Sequence, residues 1–140
     1  MANLVETTAK AGEFSTLVRA LEAAELLDFL SSPGPFTVLA PTDEAFAQLP
    51  KGTLDSLLQQ VPTLKRVLMY HILAGEVLAE NLAELDEAPT EEGSVVAVSR
   101  SNGTIQINDA QVTRLDVLAD NGVIHTINQV LIPGIIEDNL

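Results

Sequence analysis

Few side chains in this sequence could do acid–base or ligand chemistry. The chain has two histidines, His71 and His125, one tyrosine, Tyr70, and no cysteine. Without a thiol, disulfides, thiolate metal sites and cysteine nucleophiles are excluded. The histidines fall in different elements with no His-x-x-x-His spacing, so a zinc site is not expected. The acids Glu84, Asp86, Glu87, Glu91 and Glu92 lack the Asp-x-Asp-x-Asp-Gly order of a calcium loop and read as a solvated loop or edge. Ser94 follows Gly93, but no second glycine completes a Gly-x-Ser-x-Gly nucleophile elbow. No Gly-rich phosphate loop occurs, and none of the twenty acids is singled out as half of a catalytic carboxylate pair. No catalytic residue, metal or cofactor is therefore expected.

The elements that must position these residues divide the chain in two. Leu4, Val5 and Thr8 suggest a short helix that Gly12 ends. Phe14, Leu17, Val18 and Leu21 follow at the i, i+3, i+4, i+7 spacing of one buried helical face. Leu26, Leu27, Phe29 and Leu30 continue the apolar run up to the breaker cluster Ser31-Ser32-Pro33-Gly34-Pro35. Phe36 to Ala40 reads as a buried strand. After Pro41, Thr42 is placed to cap a helix whose first turn carries Asp43 and Glu44 and whose apolar anchors are Phe46 and Leu49, before Pro50. A short helix is expected around 54–58. Pro62 opens another, with Leu64, Val67, Leu68, His71 and Ile72 on one face.

From about Gly75 strands take over. Val95 to Val98 and Thr104 to Asn108 flank Asn102-Gly103, a type I′ hairpin signal. Gln111 to Leu118 and Val123 to Ile132 flank Asn121-Gly122, and Pro133-Gly134 ends the sheet. Helices first and strands later, with no βαβ alternation, argue for a single α+β domain over residues 1–140.

Composition narrows the partners. The net charge is −13, with seven scattered Lys and Arg against twenty Asp and Glu. Nucleic acid is excluded as a partner, since phosphate contacts need clustered basic residues. Direct binding to an anionic membrane surface is disfavoured for the same reason, and no apolar run approaches the roughly 20 residues of a span. The first residues, Met1 to Glu6, show neither a basic nor an apolar leader region, so no signal peptide is read there. Intracellular and surface locations both stay open on that ground.

Three segments carry a family resemblance. Phe36-Thr37-Val38-Leu39-Ala40-Pro41-Thr42-Asp43-Glu44-Ala45-Phe46 is similar to the first signature of fasciclin-type domains. Asn121-Gly122-Val123-Ile124-His125-Thr126-Ile127-Asn128-Gln129-Val130-Leu131 is similar to the second. Tyr70-His71 stands between them where that family has a Tyr-His pair. The resemblance implies a twisted, wedge-shaped β-sandwich with helices packed around it. It further implies a role in adhesion or matrix contact at a cell surface or outside the cell, through a protein or glycan partner and without catalysis. Its proposed integrin contacts map onto Tyr70-His71 and Asp116-Val117, the latter standing where the family has Asp-Ile. A longer acidic-proline motif of some animal members is missing, so integrin recognition itself is not carried over.

Each of these residues also has a structural role open to it. Thr42, Asp43 and Phe46, and Asn121, Gly122 and His125, are adequately explained by capping, turning and packing. His71, on an apolar face, is expected buried with its ring nitrogens hydrogen-bonded, and Tyr70 is expected to be the more exposed of the pair. Two other functions stay in view: a carrier of small apolar molecules in a gap between helices and sheet, and an enzyme with an unrecognised site.

Overall fold

A computed structural model describes residues 3–49, 52–101, 103–108 and 110–131. The first helix, α1 (Leu4–Lys10), opens on a reciprocal capping box between Asn3 and Glu6. It is followed by α2 (Ser15–Ala23), which buries Leu17, Ala20 and Leu21, and α3 (Leu27–Ser31). After β1 (Phe36–Pro41), Thr42 caps α4 (Asp43–Ala47) as its residue type suggests, the hydroxyl accepting from Ala45 N–H at 3.2 Å. Two more helices, α5 (Thr53–Gln59) and α6 (Val61–Met69), complete the helical half, with Pro62 in the first turn of α6. Pro50 lies outside the described residues.

The second half holds β2 (Ile72–Ala74), α7 (Ala79–Leu82), β3 (Glu87–Pro89), β4 (Val95–Ser101), β5 (Thr104–Ile107), β6 (Ala110–Ala119) and β7 (Gly122–Ile127). Three of these differ from the periodicity reading. The face assigned to α6 ran through Ile72, but the helix stops at Met69 and Ile72 instead pairs with Val38. A strand partner outweighs the local helical spacing there. The four-residue α7 is too short to show a period. The last strand stops at Ile127 rather than Ile132 because Asn128 turns its own side chain onto the neighbour, its Oδ1 accepting from Gln111 N–H at 2.8 Å. Strands β4 and β5 pair from Val98↔Ile107 to Ser101↔Thr104, as a hairpin at 102–103 requires. Asn102 itself, Ile132 and Pro133-Gly134 lie outside the described residues.

The strand order is β2-β1-β7-β6-β5-β4-β3, with β1 and β7 parallel and the other neighbours antiparallel. The sheet curls over itself until its ends meet, through a Leu73–Thr90 bridge and a 2.8 Å bond from Glu91 N–H to the Ile72 carbonyl. The result is a seven-stranded near-barrel with helices packed outside: the α+β architecture that the sequence implied. Leu39, Leu73, Val96, Val98, Ile107 and Ile127 fill the inside of the curl. Val38, Ala40 and Ile124 point the other way, onto Leu17, Leu30, Leu64 and Leu68 of the helices. Alternate residues of β1 and β7 thus serve two cores, which explains their near-continuous apolar runs.

The two signature segments are neighbours in space. They lie side by side from Phe36↔Gly122 to Pro41↔Ile127. Asn121, at the turn into β7, joins this pair to the helices. Its Oδ1 accepts from Leu4 N–H at 2.9 Å, and its Nδ2 donates to the carbonyls of Leu30 at 2.6 Å and Ser32 at 2.8 Å. One amide therefore caps the start of α1 and the end of α3. The backbone closes tightly around it: a Cβ on Gly122 would collide with the Phe36 carbonyl oxygen, and one on Gly34 with the carbonyl oxygen of Asn121.

Removing this amide should be costly. Asn121→Ala leaves a donor and two acceptors unsatisfied in a part-buried site and should lower the urea-unfolding free energy by about 3 kcal/mol. Asn121→Asp keeps an acceptor for Leu4 but sets a carboxylate oxygen against two carbonyls, and should cost at least as much. A near-neutral Asp variant would contradict the assignment of that nitrogen.

Candidate functional site

His125 lies within β7, opposite Leu39 of β1, and His71 lies just before β2; both are buried. His71 follows the last turn of α6. Its Nδ1 donates to the Val67 carbonyl at 2.8 Å, and its Nε2 accepts from Leu131 N–H at 2.8 Å. That pattern fixes the proton on Nδ1 and ties the end of the helix to the segment beyond β7. Burial pushes the imidazole down to about 4, against a smaller opposing effect of the Val67 bond.

His125 is wired the opposite way round. Its Nε2 donates to the Val77 carbonyl at 2.6 Å, and its Nδ1 accepts from Asp116 N–H at 3.2 Å. Burial again lowers its pKa, while the Val77 bond and the Asp116 carboxylate, 4.0 Å from the ring, act in the raising direction. The Asp116 amide reaches the ring because β6 is bulged. Its register to β7 shifts between Arg114↔Thr126 and Val117↔Ile124, so Leu115 and Asp116 stand against His125 alone. Asp116 takes the left-handed conformation, φ 57°, which its short polar side chain tolerates. Its Oδ1 accepts from Ala79 N–H at 2.9 Å, at the start of α7.

The residues singled out in the sequence do not form one cluster. Tyr70 is buried rather than exposed, because the chain turns inward after α6 and carries its ring into the inner core. Its hydroxyl donates to the Val95 carbonyl at 3.3 Å and accepts from Asn108 Nδ2 at 3.1 Å. Val117 packs against the outer, helix-side core. Among the described residues no hydrogen bond or ion pair joins Tyr70 or His71 to Asp116 or Val117. What the fold does bring together is Asp116 and His125.

Thr42, Asp43 and Phe46 have structural work. Phe46 is buried among the helices. Asp43 does more than face its own helix dipole. Its carboxylate accepts from Thr16 N–H and the Ser15 hydroxyl, each at 2.8 Å, and so caps α2, which has no side-chain cap of its own. Burial works to raise this carboxyl, but the bonds from Thr16 and Ser15 together outweigh it and hold the group below its ordinary value.

Two features escaped the sequence reading. Leu115 and Leu118 flank Asp116 with 39% and 53% of their surface exposed. Asn108 takes a positive φ and uses its Oδ1 to bind Ala97 N–H while its Nδ2 holds Tyr70. Of the acidic stretch, Glu92 pairs with Arg66 at 3.2 Å. Among the described residues no group of three or more acids and histidines converges as a metal site, and no helix is long and apolar enough to cross a membrane.

Comparison with known proteins agrees with this geometry. A model of the fasciclin domain matches residues 12–133, which span both signature strands, the helices between them and the bulged β6. The chain belongs to the fasciclin domain family. An uncharacterized protein of Synechocystis sp., sll1735, is 46% identical over 134 residues, covering 96% of this chain and all of that one. Transforming growth factor-beta-induced protein ig-h3 of Sus scrofa is 38% identical over 120 residues, 86% of this chain but only 18% of that protein. Among solved structures, a domain pair from the insect cell adhesion molecule fasciclin I superposes with a TM-score of 0.67 at 22% identity, over 87% of this chain and 46% of that one. The fasciclin signatures thus coincide with the β1–β7 pair, and the family's Tyr-His position with the turn that leads into β2.

The two neutral imidazoles make stability pH-dependent. The unfolded chain takes up a proton on His71 below about 6.5, whereas the folded chain resists until about 4. Stability is therefore full above pH 7 and falls as pH drops through that window. Between pH 7.5 and 5, His71 alone should cost roughly 2 kcal/mol, and His125 adds to it in the same direction. Urea titrations at the two pH values measure the difference. His71→Gln should flatten the slope, and a slope unchanged in that variant would remove His71 as its cause.

Proposed function

We propose that this fasciclin domain is an adhesion or surface-interaction module that binds a protein or glycan partner through the β6 bulge, with no catalytic role. The observation that carries the reading is the exposed run Leu115-Asp116 with Leu118, held from below by His125 and from the side by Ala79 N–H. Large aliphatic groups beside a charge, on backbone already fixed in place, lose little freedom on contact with a partner. Tyr70 and His71 enter as supports from inside the fold, and Val117 anchors the bulge to the helix-side core.

The non-enzymatic part of the reading rests on how the histidines are used. Both nitrogens of each ring are engaged by backbone groups, so neither ring offers a lone pair to a substrate. The strongly acidic surface favours a partner with basic groups and would speed its encounter at low salt. Similarity to a protein described as an insect cell adhesion molecule supports a location at the cell surface or outside the cell.

Beads coated with the domain, tested for retention on layers of cells, extracellular polysaccharide and matrix protein, provide the test. Leu115→Ser combined with Leu118→Ser should lower retention about tenfold, the effect of losing a modest interface anchor, with little change in melting temperature. Asp116→Asn, which keeps an acceptor for Ala79, separates charge from bulge geometry and should lower retention less. Retention unaffected by the double serine variant would move the contact surface elsewhere.

A further inference from the structure

Seven Lys and Arg serve a chain whose net charge is −13, so the place of each is informative. Arg66 pairs with Glu92, and Arg100 donates to the carbonyls of Leu82 and Leu85 at the end of α7. Lys10 and Arg114 instead stand at the mouth of the same groove. The groove, of about 290 Å³, runs between the α1–α2 turn and the outer faces of β6 and β7. Its floor is apolar: Phe14 and Ile124 are buried there, and Val117 is half-buried beside them. The register shifts on either side of Arg114 twist β6 along this wall.

The rim carries one acid as well. Glu13 approaches Arg114 only to 4.0 Å, with side-chain exposures of 42% and 65%, a pair that solvent screens heavily. Two cations against one carboxylate leave the mouth with a positive excess on an otherwise acidic molecule. An apolar floor under a cationic rim is complementary to an amphiphile with an anionic head.

We propose that this groove binds a small monocarboxylate amphiphile. Its chain would lie against Val117, above the buried Phe14 and Ile124, and its carboxylate between Lys10 and Arg114. A dry cavity of about 150 Å³ takes up benzene, so a groove of about 290 Å³ has room for a chain of roughly eight carbons. Each methylene buried there raises affinity about fourfold. The carboxylate gains a charge-assisted contact that an alcohol of the same length lacks. This inference does not rest on the adhesion reading, since it uses Arg114 and Val117 rather than Leu115 and Leu118, and its failure leaves that reading standing.

Titration calorimetry with octanoate, octanol and octyltrimethylammonium on the whole chain tests it. Octanoate should bind one to one, octanol about tenfold more weakly, and the cationic amphiphile not at all. Lys10→Gln with Arg114→Gln should weaken octanoate about tenfold and leave octanol unchanged. Val117→Phe, which fills the groove, should abolish both. Should that variant fail to fold, amide chemical-shift mapping decides, with the octanoate-induced changes expected at Phe14, Val117 and Ile124. No binding of octanoate, equal binding of the cationic amphiphile, binding indifferent to the charge variant, or shifts centred elsewhere would each overturn the proposal.

Discussion

The parallel pairing of β1 with β7 is the constraint on which the rest of the molecule depends. Both strands are covered on both faces, so every polar group near them must find a partner inside the protein. Thr37 does so with its hydroxyl, donating to the Gly75 carbonyl and accepting from Val77 N–H. Asn121 does so at the turn into β7, and the two histidines do so at its middle and beyond its end. A neutral imidazole suits this role because it offers one donor and one acceptor on opposite sides of a flat ring. Each ring spans two backbone groups that no regular ladder could reach. Protonation would turn the accepting nitrogen into a second donor facing an N–H, so the fold selects the neutral form.

From this constraint follows the shape of the exposed surface. His125 holds the Asp116 amide, and that bond stabilises the bulge that leaves Leu115 and Leu118 facing solvent. The same shifts in register set Arg114 and Val117 along the groove under α1 and α2. Surface features with opposite character, an apolar ridge beside an acid and an apolar trough beside cations, therefore derive from one twisted strand. The central pair is buried on both faces, and the proposed contacts lie on the strand next to it.

Much of this was legible in the residues. Thr42 announced its cap because that is a local signal within one element. Asn121-Gly122 announced a turn, but its loop is Asp120-Asn121, since Gly122 is already in β7 and pairs with Ala119. What escaped was carried by contacts far apart in the chain. Ile72 continues a helical face in sequence, yet pairing with Val38 makes it a strand residue. Tyr70 looked exposed by helical spacing, yet the helix has already ended there and the ring turns into the inner core. Asp43 caps a helix that begins 28 residues earlier, which no window on its own segment could show. Leu115 and Leu118 read as ordinary strand residues until the bulge turned them out.

Both imidazoles are held neutral in opposite tautomers, an arrangement that long-range nitrogen–proton correlation spectra of the histidine rings read out most directly. At pH 7 a proton is expected on Nδ1 of His71 and on Nε2 of His125. The His71 pattern should persist well below the ordinary histidine range, to about 4. Averaged tautomers in either ring, or titration of His71 near 6.5, would contradict it.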